Sequence, residues 1–309
     1  RLWKWMYEVS DRRNMAEKPV RGIAPVERLL ERLLREWKPD AVVCTYMVYP
    51  YMLDSLASRT GRAVPYLTVV TDSFVINKSW LCSKSPLWAV TDPWTRAIME
   101  EKGLPQDRLR VTGFPVNPVL GALAEEHPLS WKEGEPFRVL YFAQRSARHA
   151  RAELAGMLDA NPALHVTCIL GRRFRRIYPR IRDLRARYGR RLTVRGWTRR
   201  VPSYLAASHV VVGKAGGATV HEVLAAARPM LVNFLLPGQE EGNTRLLEKL
   251  GGGSHVPDAR ALASALQEMM ADGGAQWRRM HENLLRAGMT GGSGRIADLA
   301  LKLAEEHTN

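Results

Sequence analysis

Nowhere in the 309 residues is there an apolar run of the roughly 18 residues that a membrane-spanning helix needs, so no such helix is expected. Cysteine is scarce: Cys44, Cys82 and Cys168 stand far apart, each beside apolar residues, and no pair has zinc-ligand spacing. That argues against a disulfide framework or a zinc site and reads as reduced, mostly buried thiols of a cytosolic protein. No Asp-x-Asp pair occurs, so a diphosphate held through Mg²⁺ on acidic side chains is not indicated and neither metal nor cofactor is expected. Internal repeats and low-complexity tracts are also missing. What is present is 46% hydrophobic residues, enough for sizeable cores, on a length that suits about two domains. The opening "RLWKWMYEVSDRR" begins with arginine and continues with aromatic and basic residues, and it reads as an N-terminal truncation.

Negative charge is in short supply, and unevenly so. Between Phe137 and Arg200 seventeen arginines face only Glu153, Asp159 and Asp183, a local excess that makes up nearly all of the net +15. Such a field attracts polyanions or an anionic membrane surface. An arginine-rich composition without a partner is the plainer alternative. Within the stretch, Arg172, Arg173, Arg175 and Arg176 are expected on the membrane or acceptor side. "LGRRFRR" also begins at the carboxyl end of a predicted strand, which leaves a diphosphate role open for them.

Along the chain, Val26, Leu29, Leu30, Leu33, Leu34 and Trp37 share one helical face, and Pro39 ends that helix. "AVVCT", "VPYLTVVTD" and "LWAVTD" are short apolar runs that read as strands, and Pro93 suits the first turn of a helix. The segment from Arg110 to Pro136, rich in proline, reads as an interdomain linker. Beyond it "FRVLYFA", "LHVTCIL", "RLTVRG", "HVVVG" and "PMLVNFL" alternate with helical segments, the last of them over 259–270 and 295–305. The expected fold is α/β, with two Rossmann-like domains facing a cleft: an incomplete acceptor-side domain over 1–118 and a nucleotide-sugar domain over 119–309, with a return of its last helix to the first domain as a variant.

The stretch "GKAGGATVHEVLAAARPMLVNFLLPGQEEGN" carries more polar groups than a structural βαβ unit requires. Gly216 and Gly217 let backbone approach a ligand, and the free N–H groups of the following helix attract phosphate. Glu222, about one turn into that helix, suits the two vicinal hydroxyls of a ribose. His221 beside it reads as a packing or surface residue. After the next strand, Gln239, Glu240 and Asn243 cluster at the head of a helix, and their amides suit a sugar better than a phosphate. Helix packing and helix-terminus chemistry account for either loop alone, but less readily for both at neighbouring strand ends.

These residues resemble the donor-sugar signature of GT-B glycosyltransferases of the diacylglycerol glucosyltransferase and monogalactosyldiacylglycerol synthase group, with the peptidoglycan lipid-intermediate GlcNAc transferase more distant. "VTD…W" (Val70 to Trp80), "VTGFPVNP" (Val111 to Pro118) and "VRGWTRRVPSYLAAS" (Val194 to Ser208) stand in the same order as in those enzymes. The resemblance implies inverting transfer of a hexose from a UDP-sugar to a lipid hydroxyl. It also implies Gly196 and Trp197 at the uracil, Gly216, Gly217 and Thr219 at the diphosphate, Glu222 at the ribose, and Gly238, Gln239, Glu240 and Asn243 at the hexose. Two departures stand out. The family's first strand and Gly-rich loop, with the His favoured as general base, have no match in residues 1–40. Its second Gly-rich loop is replaced by "YFAQRSARHA", where Arg145 and Arg148 are candidate diphosphate clamps. Asp72, at a strand end, is a candidate to orient or assist a base.

On this reading the partners are a UDP-sugar, a lipid acceptor and an anionic membrane surface, with the protein cytoplasmic and peripheral to the inner face of a membrane. Trp80, Leu81 and Trp88, if exposed, would favour the lipid acceptor. A soluble enzyme of the same fold, such as a UDP-GlcNAc 2-epimerase, is the alternative within enzymes. A nucleic-acid-binding protein is the alternative outside them, but few aromatics interleave the arginines and no nucleic-acid motif occurs, so no nucleic acid is expected.

Overall fold

The computed structural model describes residues 24–126 and 129–308; the basic and aromatic opening stretch lies outside them. The chain divides into two compact units, one of Arg1–Pro115, Pro237–Gly242 and Gly291–Asn309, the other of Val116–Leu236 and Asn243–Thr290.

The first unit holds a four-stranded parallel sheet in the order β1 (Val42–Cys44), β2 (Tyr66–Val69), β3 (Leu87–Val90), β4 (Leu109–Val111). Every residue of β2 is buried, as a strand covered on both faces requires. On one face Leu67, Val69 and Ala89 pack with Ile296, Leu299 and Leu303 of the helix Gly292–Thr308. On the other, Val70, Trp80, Trp88, Val90 and Met99 form a second cluster. The helix Pro93–Glu101 starts where its proline suits it, with the Asp92 carboxylate accepting from the Thr95 N–H at 2.8 Å. The amphipathic helix forms over Ala24–Trp37, but its apolar stripe is only partly used. Leu30 and Leu34 pack on Cys44, Leu53 and Tyr66, while Val26, Leu29 and Trp37 are exposed.

The second unit is built on six parallel strands in the order β10-β9-β8-β5-β6-β7: β5 Phe137–Phe142, β6 Leu164–Ile169, β7 Leu192–Arg195, β8 Val210–Lys214, β9 Met230–Phe234 and β10 Gly253–His255. The chain winds outward from β5 to β7, returns to the middle at β8 and winds out the other way. That is the doubly wound, Rossmann-like order, with its switch point between β5 and β8. Phe137, Val139, Tyr141, Leu164, Val166, Cys168, Leu192 and Val194 turn to one face, where Leu154 and Met157 of the helix Ala147–Ala160 and Leu262 and Leu266 of the helix Ala259–Met270 cover them. Sequence periodicity finds these core strands. It misses β10, whose "GSH" carries no β-branched residue, and the helices Val119–Glu126 and Ala275–Ala287.

Candidate functional site

Ligands of open α/β sheets bind beyond the carboxyl ends of strands, next to the switch point. In the second unit that position is framed by the loops after β5, β8 and β9. After β8 the chain turns sharply, with the Gly216 N–H donating to the Lys214 carbonyl at 2.8 Å, and enters the helix Gly217–Ala225. Gly216 occupies the N-cap position, so no side chain caps the helix and its first N–H groups stay open to a ligand. A Cβ built on Gly216 would meet nothing within 4 Å among the described residues, which leaves that face of the turn open to a ligand. Thr219 is half-buried in the first turn.

Glu222 lies one turn further on and is half-buried. Burial pushes its carboxyl above the ordinary glutamate range, and among the described residues no group hydrogen-bonds or pairs with that carboxylate. A carboxylate left unpaired in a half-buried place is a cost that a hydroxyl-bearing ligand would offset. His221 is fully packed, and burial pulls its imidazole down to about 3, which keeps it neutral.

Asn243 departs from expectation. It is completely buried, and its Nδ2 donates to the Ala215 carbonyl at 2.9 Å, so it braces the turn after β8 instead of presenting an amide to a sugar. Among the described residues its Oδ1 is a buried acceptor without a partner.

After β5, Arg145 is also committed. Its Nη1 donates to Glu153 Oε1 at 3.3 Å and to the Asn233 carbonyl at 3.5 Å, and its guanidinium lies 5.6 Å from the centre of the Phe234 ring. Glu153 is almost wholly buried and accepts from Tyr141 Oη at 2.5 Å and Asn233 Nδ2 at 2.8 Å. This buried network fixes Arg145 at the ends of β5 and β9 while Nε and Nη2 remain unpartnered among the described residues. Arg148 is exposed and, with Arg145, His149 and Glu153, lines a cavity of about 360 Å³. The sequence reading missed Glu153, although the signal was there: a glutamate among Ala150, Leu154 and Met157 on the buried stripe of a helix.

Gly196 and Trp197 follow β7, three strands from β8 in the sheet order. Trp197 is 60% exposed, with the Arg199 guanidinium 5.6 Å from its ring centre. An ordinary core turn would have buried that indole; here it is a flat surface available for stacking. The four arginines after β6 divide. Arg172, Arg175 and Arg176 are exposed, whereas Arg173 is half-buried and donates through Nη1 to the Gln144 carbonyl in the loop after β5.

In the first unit the site residues gather around Asp72, three residues past the end of β2. It is only 4% exposed; Trp80 Nε1 donates to Oδ2 at 2.8 Å and Gln239 Nε2 donates to Oδ1. Burial outweighs both hydrogen bonds and raises the carboxyl to about 6. Trp80 and Trp88 are therefore not exposed membrane anchors: both are core residues, and Trp88 Nε1 donates to the Trp80 carbonyl at 3.3 Å. Leu81 is partly buried against the same cluster. Next to Asp72 the chain makes a three-residue turn, with the Val75 N–H on the Ser73 carbonyl at 2.6 Å and Phe74 at φ +58°. Gly242 packs on this turn, and a Cβ there would fall 1.9 Å from the Ser73 oxygen. Gly238 takes φ +99°, and Glu240 is buried. Among the described residues no cluster of acids, histidines and cysteines suits a metal ion.

The comparisons with known proteins also find two parts in the chain. The sequence pattern of monogalactosyldiacylglycerol (MGDG) synthase matches residues 1–116, and that of the glycosyltransferase family 28 C-terminal domain matches residues 156–292. The chain thus carries an MGDG-synthase match followed by a glycosyltransferase family 28 C-terminal match, the domain order of the GT-B group it resembles. Relatives named processive diacylglycerol beta-glucosyltransferase are 25% identical over 252 residues in Staphylococcus carnosus and 23% identical over 285 residues in Bacillus subtilis. These matches take in 80% and 90% of this chain but 63% and 73% of the two relatives, so the chain spans less than two thirds of the first. Among solved structures, UDP-GlcNAc 2-epimerase of Neisseria meningitidis bound to UDP-GlcNAc superposes with a TM-score of 0.67 at 14% identity, covering 92% of this chain and 83% of that one. MurG of Acinetobacter baumannii superposes with a TM-score of 0.62 at 16% identity, over 88% and 76%. At such identities these neighbours establish the fold of the glycosyltransferase group and no more.

Proposed function

We propose that this glycosyltransferase moves a hexose, with inversion, from a UDP-sugar to the hydroxyl of a diacylglycerol-type membrane lipid. The observation that carries the reading is the pairing of an open, uncapped helix start at Gly216 and Gly217 with the unpartnered carboxylate of Glu222 one turn beyond it. The first suits a diphosphate and the second a pair of ribose hydroxyls. The names of the Staphylococcus and Bacillus relatives supply the acceptor class.

On this proposal Gly196 and exposed Trp197 meet the uracil, Gly216, Gly217 and Thr219 the diphosphate, Glu222 the ribose, and Gly238, Gln239 and Glu240 the hexose. Asn243 acts behind them, through the Ala215 carbonyl. Arg145 offers its free Nε and Nη2 edge to the diphosphate, with Arg148 beside it. In the reaction the lipid hydroxyl attacks the anomeric carbon, the bond from that carbon to the UDP oxygen breaks, and the hydroxyl proton passes to a base. Negative charge on departing UDP is met by helix N–H groups and arginine. Asp72 orients or assists the base, held by Trp80 and Gln239. The enzyme works at the inner face of a membrane, which exposed Arg172, Arg175 and Arg176 attract; among the described residues no helix is long and apolar enough to cross one.

The test offers the chain radiolabelled UDP-glucose, UDP-galactose and UDP-GlcNAc with diacylglycerol in vesicles. Label entering the lipid fraction from one of them supports the proposal. Binding of UDP without lipid labelling would remove the acceptor class and keep a nucleotide-sugar enzyme, and a folded chain that does not bind UDP would remove both.

A further inference from the structure

A parallel sheet is normally covered on both faces, yet part of one face of the second unit is polar and partly open. Alternation along the strands puts Arg138 of β5, His165 and Thr167 of β6 and Thr193 of β7 on the face opposite the Phe137–Val139–Tyr141 core. None of these four is buried. Together with Arg190, Arg191 and Tyr204 they line a cavity of about 340 Å³, and among the described residues no acidic one lines it.

Two of the three arginines there are held in place without losing their charge. Arg138 Nε donates to the Ala207 carbonyl at 2.5 Å, and its Nη2 lies 3.0 Å from His209 Nε2. Arg191 Nη1 donates to the carbonyls of Leu158 and Asn161 at 2.9 and 3.1 Å. These partners are neutral, and among the described residues no carboxylate pairs with Arg138, Arg190 or Arg191. Elsewhere in the same unit arginines do find acids, as Arg151 does with Asp183 and Arg187 with Asp159. The uncompensated field also acts on His165, which burial and then Arg191 and Arg138 push below the ordinary histidine range. Fixed guanidinium groups, hydroxyls of Thr167 and Thr193 and a concave wall are the components of a phosphate site.

We propose that this cavity binds a phosphate group, as a phosphomonoester or phosphodiester, at a site separate from the nucleotide-sugar loops. The separation follows from the sheet. Arg138 and His165 are the second residues of β5 and β6, and Arg190 and Arg191 precede β7, whereas the loops around Gly216 and Arg145 follow the last residues of their strands. The strands run parallel, so the two sets lie toward opposite ends of the sheet. The proposal does not rest on the donor assignment. A phosphorylated metabolite and the headgroup of an anionic lipid present the same chemistry, and the experiment separates them.

The whole chain is titrated calorimetrically with inorganic phosphate and with glycerol 3-phosphate, with and without UDP, and is sedimented with vesicles of phosphatidylcholine containing phosphatidylglycerol. Arg190→Gln removes an exposed charge, and Thr193→Glu places a carboxylate inside the cavity; thermal melting and UDP binding report on the fold of each. Arg182→Gln, an exposed arginine of the same unit outside the cavity, is the control. The expected result is a phosphate affinity indifferent to UDP, reduced about tenfold or more by either cavity variant and within about twofold of the parent in the control. Loss confined to the soluble ligands identifies a metabolite, and loss confined to the vesicles identifies a lipid headgroup; each supports the site. The proposal is overturned if neither arm shows binding, if both cavity variants bind as the parent does, or if UDP displaces the phosphate.

Discussion

A carboxyl held near pH 6 by burial makes the folded chain keep a proton that the unfolded chain has already released. For Asp72 the ordinary value is 3.8 and the folded value about 6. The stability contribution of this group is therefore fully present below about pH 4 and is lost as pH rises through 6, over a span on the order of 3 kcal/mol. Asp72→Asn takes that slope away. Its single amide oxygen takes the place of Asp72 Oδ2 as the acceptor for Trp80, and Gln239 turns its amide to meet the new NH₂ group. Urea unfolding between pH 4 and 7 is expected to show the variant gaining on the parent as pH rises; a constant difference would mean that Asp72 titrates normally. At the same scale, Glu222→Ala is expected to weaken UDP by about 1.5–3 kcal/mol, the range for hydrogen bonds to a charged group. Calorimetry giving unchanged affinity in a folded variant would end the ribose assignment. Glu222 stands out in the sequence because an acid one turn past a glycine turn has few structural reasons to be there, and the ribose role remains the proposal that calorimetry tests. Asn243 is harder to read, because its type suits a sugar and a backbone carbonyl equally, and only its burial and its bond to the Ala215 carbonyl favour the second.

Elements were legible where periodicity is strong. All five apolar runs of the second unit became core strands of one sheet: burial on both faces leaves a nearly continuous hydrophobic record in β8 and β9, and burial mainly on one face leaves an alternating one in β6 and β7. What sequence could not supply was the packing of the Pro237–Gly242 segment, which joins the first unit although its neighbours in the chain belong to the second. That return depends on Gly242 lying against the turn at Ser73, a contact between residues far apart in sequence. The same turn holds Phe74 in a backbone region unfavourable to aromatic residues, so it relies on its surroundings to persist. Gly242→Ala puts a methyl group where the Ser73 oxygen sits. The expected cost is about 1–3 kcal/mol of stability, read from the denaturation midpoint, as the turn or the segment gives way. Because Gln239 is on that segment and its hydrogen bond lowers the Asp72 carboxyl, losing that bond should raise the carboxyl further and carry the Asp72 pH dependence to higher pH in the same variant. A Gly242→Ala chain with the parent's midpoint and the parent's pH slope would show that the close approach is not maintained in solution.

For the whole molecule, the net charge of +15 concentrates in the second unit, and its arrangement there matters more than its sum. Some arginines are spent internally: Arg145 on Glu153, Arg173 on Gln144, Arg151 and Arg187 on surface acids. Arg172, Arg175 and Arg176 remain exposed after the carboxyl end of β6, while Arg190 is exposed beyond the amino-terminal side of the same sheet. One flat bilayer cannot engage both groups closely at once, because the two lie toward opposite ends of parallel strands. Converting Arg172, Arg175 and Arg176 together to Gln removes about 1 kcal/mol of attraction per charge if that end faces an anionic membrane, an effect that salt screens within a Debye length near 10 Å at 0.1 M. Vesicle co-sedimentation is expected to fall sharply in the triple variant at low salt and to converge with the parent at high salt, while UDP affinity stays close to the parent's. Binding that persists in the triple variant and disappears in Arg190→Gln would turn the molecule over, with the cavity end toward the lipid and the nucleotide-sugar loops away from it. Such an orientation would carry the Gly216 turn away from the bilayer that is proposed to supply the acceptor, so one sedimentation series tests the membrane reading and the lipid-acceptor reading together.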